Sequence, residues 1–201
     1  MSKYIIIEGT DNTGKSTQAE YLIKNLSHMI FHKVHYSSLP FKEDKKKNQE
    51  YSLRMYNDMF RMMTELKDSN INVIFDRSHL GESVYSPLYR GYSGDYVFNL
   101  EKEYAEKLKN NLYLITLVND PNIIMSRDDG KSFYENEEGI KAEVDGFQRA
   151  HRMSHIKNKL LINVGTMNAE DVSKLILNFM QTSERAQAEL EGLKQLTLNL
   201  L

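Results

Sequence analysis

The chain has no cysteine, which excludes a disulfide framework, a thiolate metal site and a cysteine nucleophile, and is compatible with a reducing compartment. No apolar run approaches membrane-spanning length, and the first residues lack the charged, apolar and small-residue layout of a secretory leader. A cytoplasmic protein with no membrane partner is therefore expected. Charge of one sign is missing too: a formal net charge of -2 argues against a protein whose main work is gripping a nucleic-acid backbone, although it leaves room for a local basic patch. Internal repeats and low-complexity linkers are absent. With 201 residues and 40% hydrophobic content, the chain can bury one sizeable core, so a single domain is expected.

Near the start stands Glu8-Gly9-Thr10-Asp11-Asn12-Thr13-Gly14-Lys15-Ser16-Thr17, which reads G-x-x-x-x-G-K-[ST]. The apolar run Tyr4-Ile5-Ile6-Ile7 precedes it and a helix-period segment follows, so the motif sits in a strand, loop, helix context. Gly9 and Gly14 let the backbone curl so that N–H groups, including those near Asn12 and Thr13, point at phosphate oxygens, and the helix adds the positive end of its dipole. Lys15 is expected on the β- and γ-phosphates of ATP and the Ser16 hydroxyl on Mg²⁺, with Thr17 capping or packing the helix start.

Further along, Ala19, Leu22, Ile23, Leu26 and Ile30 fall at helical spacing. Residues 34–38 form a second strand candidate, the charged run 42–47 a solvated loop or helix start, and 51–66 a helix. Residues 71–75 read as a third strand closing on Asp76-Arg77, 96–108 as a helix, 112–118 as a fourth strand and 160–164 as a fifth. A polar piece at 128–139 leads into a helix running to about residue 156. A last helix starts near Ala169, with Val172, Phe179, Ala186, Leu193 and Leu200 at seven-residue spacing, which leaves both self-association and a frayed tail open. Alternating strands and helices imply an α/β fold with a parallel sheet and ligands at the carboxyl ends of the strands.

A phosphate loop serves switches, motors and small-molecule kinases alike. The guanine-reading N-K-x-D tetrapeptide is missing; after the fourth strand stands Val118-Asn119-Asp120-Pro121, which argues against a GTPase switch. Asp76-Arg77, at a strand end expected to face the loop, is a carboxylate and guanidinium pair of the sort phosphoryl transfer requires, since the protein mainly positions the nucleophile and neutralises charge. Asp76 would orient Mg²⁺ through water or accept a proton from a hydroxyl, and Arg77 would hold the acceptor phosphate.

Over about residues 1–165 the chain resembles the thymidylate kinase family of nucleoside monophosphate kinases. The resemblance rests on Glu8-Gly9-Thr10-Asp11 ahead of Gly14-Lys15-Ser16-Thr17-Gln18, on Asp76-Arg77-Ser78 with Val84-Tyr85-Ser86 downstream, and on the segment from Asp120-Pro121 to Arg127 that leads into a lid. It implies a three-layer P-loop kinase fold with five parallel strands in the order 2-3-1-4-5, a lid at about 128–139, a C-terminal helix and often a homodimer. The kinase domain would cover 1–183 and a helical tail 184–201. The resemblance places Asp11 near the deoxyribose 3′-hydroxyl and Lys42 where the family usually has an arginine on the acceptor phosphate. Asn12 stands where some relatives have a catalytic arginine; relatives without it use lid arginines, and this lid offers Arg127 at its start and Lys131 within. Gly81 and Glu82 also depart from the family pattern.

For the base, an aromatic and an arginine from the helix carrying Tyr51, Arg54, Phe60 and Arg61 are expected, because a planar pyrimidine needs a stacking face and donors to its carbonyls. The tyrosine- and glycine-rich stretch 85–96, led by Tyr85, reads either as the lining of an acceptor pocket or as an ordinary connection. The leading expectation is ATP-dependent phosphorylation of dTMP or a related pyrimidine deoxynucleoside monophosphate. The alternative acceptor is a hydroxyl, on a free deoxynucleoside or on a hydroxymethylated pyrimidine, free or within DNA, since Asp76-Arg77-Ser78 also resembles the acid-Arg-Ser motif of deoxynucleoside kinases. A third reading is a partner protein that binds ATP only to fold or dock its last helix.

Overall fold

A computed structural model describes residues 2–26, 31–35, 41, 44–127, 130, 132, 134 and 136–198. Five strands form one parallel sheet: β1 (Tyr4–Gly9), β2 (Phe31–His35), β3 (Asn72–Asp76), β4 (Leu112–Val118) and β5 (Asn158–Asn163), in the spatial order β2-β3-β1-β4-β5. The central strands β1, β3 and β4 are buried along their whole length. That is why they read as continuous apolar runs, without the alternation of a half-exposed strand.

The helices are α1 (Lys15–Asn25), α2 (Lys45–Glu65), α3 (Leu80–Tyr85), α4 (Tyr96–Ala105), α5 (Pro121–Ser126), α6 (Glu137–Met153) and α7 (Ala169–Leu198). They cover the two sheet faces separately. Tyr4, Ile6, Phe75 and Leu114 point to one side, against Met59 and Phe60 of α2, Val84 of α3 and Phe147 of α6. Ile5, Ile7, Ile74 and Ile115 point to the other, against Leu22 of α1 and Ile176 of α7. Each such fully buried isoleucine contributes about 2 kcal/mol, so the three layers are held mainly by these two apolar seams. Among the described residues no helix is long and apolar enough to cross a membrane.

Several elements lie differently from the sequence pattern. β2 begins three residues earlier than expected, and 36–40 lie outside the described residues. α2 begins within the charged run, where the Asp44 side chain accepts from the Lys47 N–H at 3.0 Å and caps the helix. The stretch after Arg77 forms α3 and then a wide π-type turn at Ser86–Arg90. α7 runs unbroken past residue 184 and keeps touching the body there, through Glu184 with Lys3 and through Gln187 Nε2 donating to Asn158 Oδ1 at 3.1 Å.

Candidate active site

β1 delivers the chain to Gly9, where a Cβ would sit 1.8 Å from the Leu117 carbonyl oxygen of β4 and where φ is +137°. Only glycine fits there. The loop turns through Asn12 (φ 60) and Gly14 (φ 84), and Thr13 Oγ1 donates to the Thr10 carbonyl at 2.7 Å. α1 starts with Gly14 as its cap and no side chain bonded to its first N–H groups, which leaves those donors and the helix dipole for an anion. Lys15 is buried, its Nζ donating to the Thr10 carbonyl at 2.6 Å and lying 3.6 Å from Asp11 Oδ1. Burial and then the Arg77 charge pull its pKa down to about 8 against the opposing pull of Asp11, Glu8 and Asp76, so it stays protonated at neutral pH.

β3 lies beside β1 and brings the second element in. Ser16 Oγ donates to Asp76 Oδ2 at 2.6 Å, and Arg77 Nη1 pairs with Asp11 Oδ1 at 2.8 Å. The Arg77 N–H donates to the Ile7 carbonyl at 2.9 Å, extending the β1–β3 ladder by one rung before the backbone bends away at φ 74. A left-handed arginine stores of the order of 1 kcal/mol. Here the bend turns the guanidinium back onto the first loop. Glu8 fixes the same junction from below: its buried carboxylate accepts from the Ser78 N–H at 2.8 Å and the Gly81 N–H at 3.2 Å, although burial raises its pKa. The outcome is a cavity of about 320 Å³ lined by Asp11, Asn12, Gly14, Lys15, Ser16, Thr17, Arg77 and Ser132, within the range of small-ligand sites.

Around this cavity lie groups from the later helices. Asn12 Nδ2 donates to Tyr134 Oη at 3.1 Å and to Ser132 Oγ at 3.3 Å, tying the first loop to the segment before α6. Tyr85 is buried against Phe147 and Tyr89; burial and then the charge of Asp11 raise its pKa well above the usual phenol value. Tyr89 Oη donates to Glu143 Oε1 at 2.6 Å.

No protein-family model matches this chain, and no curated protein matches it. Solved structures do. The YorR protein from Bacillus subtilis, in complex with phosphorylated GDP, has a TM-score of 0.69 at 20% identity over 91% of this chain and 98% of its own. Thymidylate kinase from Candida albicans has a TM-score of 0.58 at 16% identity over 91% and 92%. Deoxyadenosine kinase from M. mycoides, with the products dCMP and dCDP bound, has 0.55 at 19% identity over 89% and 99%. This is the fold of the P-loop nucleoside kinases.

On that kinase fold, the sequence-derived residues divide. Asp11, Asn12, Gly14, Lys15, Ser16, Arg77 and Thr17, the last expected both among the phosphate-loop residues and at the packed helix start, line the cavity; Gly9 and Thr13 shape its loop, Asp76 is bonded to Ser16, and Tyr85 is buried against Phe147 and Tyr89 without lining it. Phe60 does not join them: it is fully buried, stacked on Tyr104 at 5.5 Å and met edge-on by His79 at 5.0 Å, so no face remains for a base. Arg61 is exposed and paired with Asp58 and Glu65 on its own helix, and Arg54 is exposed on α2. Arg127 is exposed at the end of α5 and does not line the cavity. Lys42 and Lys131 lie outside the described residues. Glu8, Tyr89 and Glu143 had no assigned role. The signal for Glu143 was an acid set among Ile140, Val144 and Phe147 on the buried stripe of α6.

Proposed function

We propose that the chain transfers the γ-phosphoryl group of ATP to the phosphate of a deoxynucleoside monophosphate, dTMP or a related pyrimidine nucleotide, giving the diphosphate. The observation that carries this reading is the convergence of Lys15, the Ser16–Asp76 bond and the Asp11–Arg77 pair on one cavity. In it, Lys15 exchanges the Thr10 carbonyl for oxygens of the β- and γ-phosphates, trading a bond to a neutral acceptor for a stronger charge-assisted one. Arg77, paired with the same Asp11 oxygen that Lys15 approaches, holds the acceptor phosphate, so the cavity presents a cation to each of the two anions. The first N–H groups of α1 take up charge on the β-phosphate.

The donors also fit Mg²⁺. The Ser16 hydroxyl and Asp76 carboxylate are hard oxygen ligands, and among the described residues no group of three or more acidic, histidine or cysteine side chains gathers to hold an ion alone. Such an ion would take its other ligands from phosphates and water, and when bound would neutralise phosphate charge.

A second reading keeps the donor site and changes the acceptor to a hydroxyl of a deoxynucleoside or of a hydroxymethylated pyrimidine, free or in DNA. It is favoured by the likeness to a deoxyadenosine kinase structure that holds dCMP as a product. Incubation with Mg·ATP and, separately, dTMP, dUMP, thymidine and hydroxymethylated DNA, scored for ADP and product mass, separates the two. Diphosphate from dTMP or dUMP supports the first; phosphorylation of nucleoside or DNA alone overturns it.

A further inference from the structure

His79, at the N-terminal cap position of α3, and Glu101 on α4 meet where neither has exposed surface, and neither lines the phosphate cavity. The carboxylate is fully engaged: Oε1 accepts from His79 Nε2 at 2.9 Å and from Ser154 Oγ at 2.8 Å, and Oε2 accepts from the His155 N–H. Burial pushes the Glu101 pKa up, but the bonds from His79, His155 and Ser154 outweigh it and hold the group below its ordinary value. One edge of the imidazole is thereby fixed to α4 and to the connection that follows α6. Phe60 and Tyr56 meet the ring edge-on at 5.0 and 6.2 Å and keep it from turning.

The other edge faces the residue next to Arg77. His79 Nδ1 lies 3.2 Å from Ser78 Oγ, which is also 3.1 Å from Met59 Sδ, while the Ser78 N–H donates to Glu8 Oε1 at 2.8 Å. Arg77 has a φ of 74, a conformation that persists only where its neighbours hold it. Before it, the Arg77 N–H is tied to the Ile7 carbonyl; after it, Ser78 is held by its backbone on Glu8 and by its hydroxyl on His79. An apolar pair in place of His79 and Glu101 would fill the space without taking charge out of water, but would put no directional constraint on Ser78. Resting on the kinase reading above, in which Arg77 holds the acceptor phosphate, we propose that His79 is a positioning residue of the acceptor site: braced by Glu101, it fixes Ser78 and so keeps the Arg77 guanidinium turned onto the phosphate loop.

Two variants test this. Ser78→Ala removes the hydroxyl and leaves the buried pair intact, and His79→Gln keeps a donor within reach of Glu101 but loses the Nδ1 edge. In both, KM for the acceptor monophosphate is expected to rise about three- to tenfold with KM for ATP unchanged. In an Arg77→Gly chain, which has neither the guanidinium nor a backbone that needs holding, Ser78→Ala should add nothing further. Arg77 Nε is buried, so its N–H can be followed by NMR, and its heteronuclear NOE should fall in Ser78→Ala and His79→Gln. An unchanged acceptor KM in Ser78→Ala, a parallel rise in KM for ATP, or full additivity with Arg77→Gly overturns the proposal and leaves the pair a packing feature. No turnover of any acceptor by the unaltered chain overturns the kinase reading instead; the Nε–H signal then still decides whether His79 holds Arg77, and an equal NOE in all three chains overturns that as well.

Discussion

Ser16 and Asp76, sixty residues apart in the chain, are joined by a hydroxyl-to-carboxylate hydrogen bond of 2.6 Å at the mouth of α1. The bond exists because β1 and β3 are neighbours in register, Ile7 opposite Asp76, so the end of one strand faces the start of the helix that follows the other. Parallel pairing thus assembles a phosphate loop and a carboxylate that share no local sequence context.

If that pair carries the Mg²⁺ function, Ser16→Ala shifts the Mg²⁺ dependence of turnover to higher concentration, and Asp76→Asn, which preserves shape, lowers turnover by about 100-fold or more. Magnesium titrations of ADP release on both variants measure this. Unchanged titration curves would assign the pair a structural role.

Lys15 is buried beside Asp11, and the charges of Arg77, Glu8 and Asp76 also act on it. Lys15→Met is expected to lower turnover by about 100- to 1,000-fold with the fold retained by circular dichroism. Because its pKa lies at about 8 in the free chain, kcat/KM for ATP should fall as pH rises through that value and Lys15 loses its proton. A profile flat to pH 10 would remove Lys15 from the phosphates.

Arg77 combines a left-handed backbone with a guanidinium held by Asp11. Arg77→Gly relieves about 1 kcal/mol of strain, so its melting temperature should be no lower than that of the unaltered chain, while KM for the acceptor rises about tenfold or more. Arg77→Lys retains the strain and loses the planar fork, and should not restore binding. Differential scanning calorimetry with steady-state kinetics checks both; a lower melting temperature with unchanged KM speaks against the assignment.

Burial first, then Asp11, pushes the Glu143 pKa up from 4.5 to about 7. The folded chain therefore holds a proton that the unfolded chain releases between those values, and stability falls as pH rises through that window. Glu143→Gln cannot titrate, so its stability relative to the unaltered chain should improve by up to about 3 kcal/mol between pH 4.5 and pH 8. Urea unfolding at both values measures the difference, and a constant difference would mean that Glu143 is ionised throughout.

Much of this arrangement was legible because its parts are contiguous. The glycine-lysine loop occupies residues 9–16, and the continuous apolar runs at β1 and β4 mark strands buried on both faces. Asp76-Arg77 stood out as a charged pair closing an apolar strand. α3 was not legible, since all six of its residues are buried and no polar face marks a helical period. Phe60 was misplaced because spacing shows that residues share a helix face without showing what that face meets; here it meets Tyr104 and His79. Glu143 was hidden because its position on the apolar stripe of α6 reads as core.

The most direct measurement is a structure of the chain with a non-hydrolysable ATP analogue, Mg²⁺ and dTMP. The expected result has Lys15 Nζ and the Arg77 guanidinium both within about 3 Å of oxygens at the transferring and receiving phosphates. An Arg77 still closed on Asp11, with dTMP phosphate bound elsewhere, would contradict it.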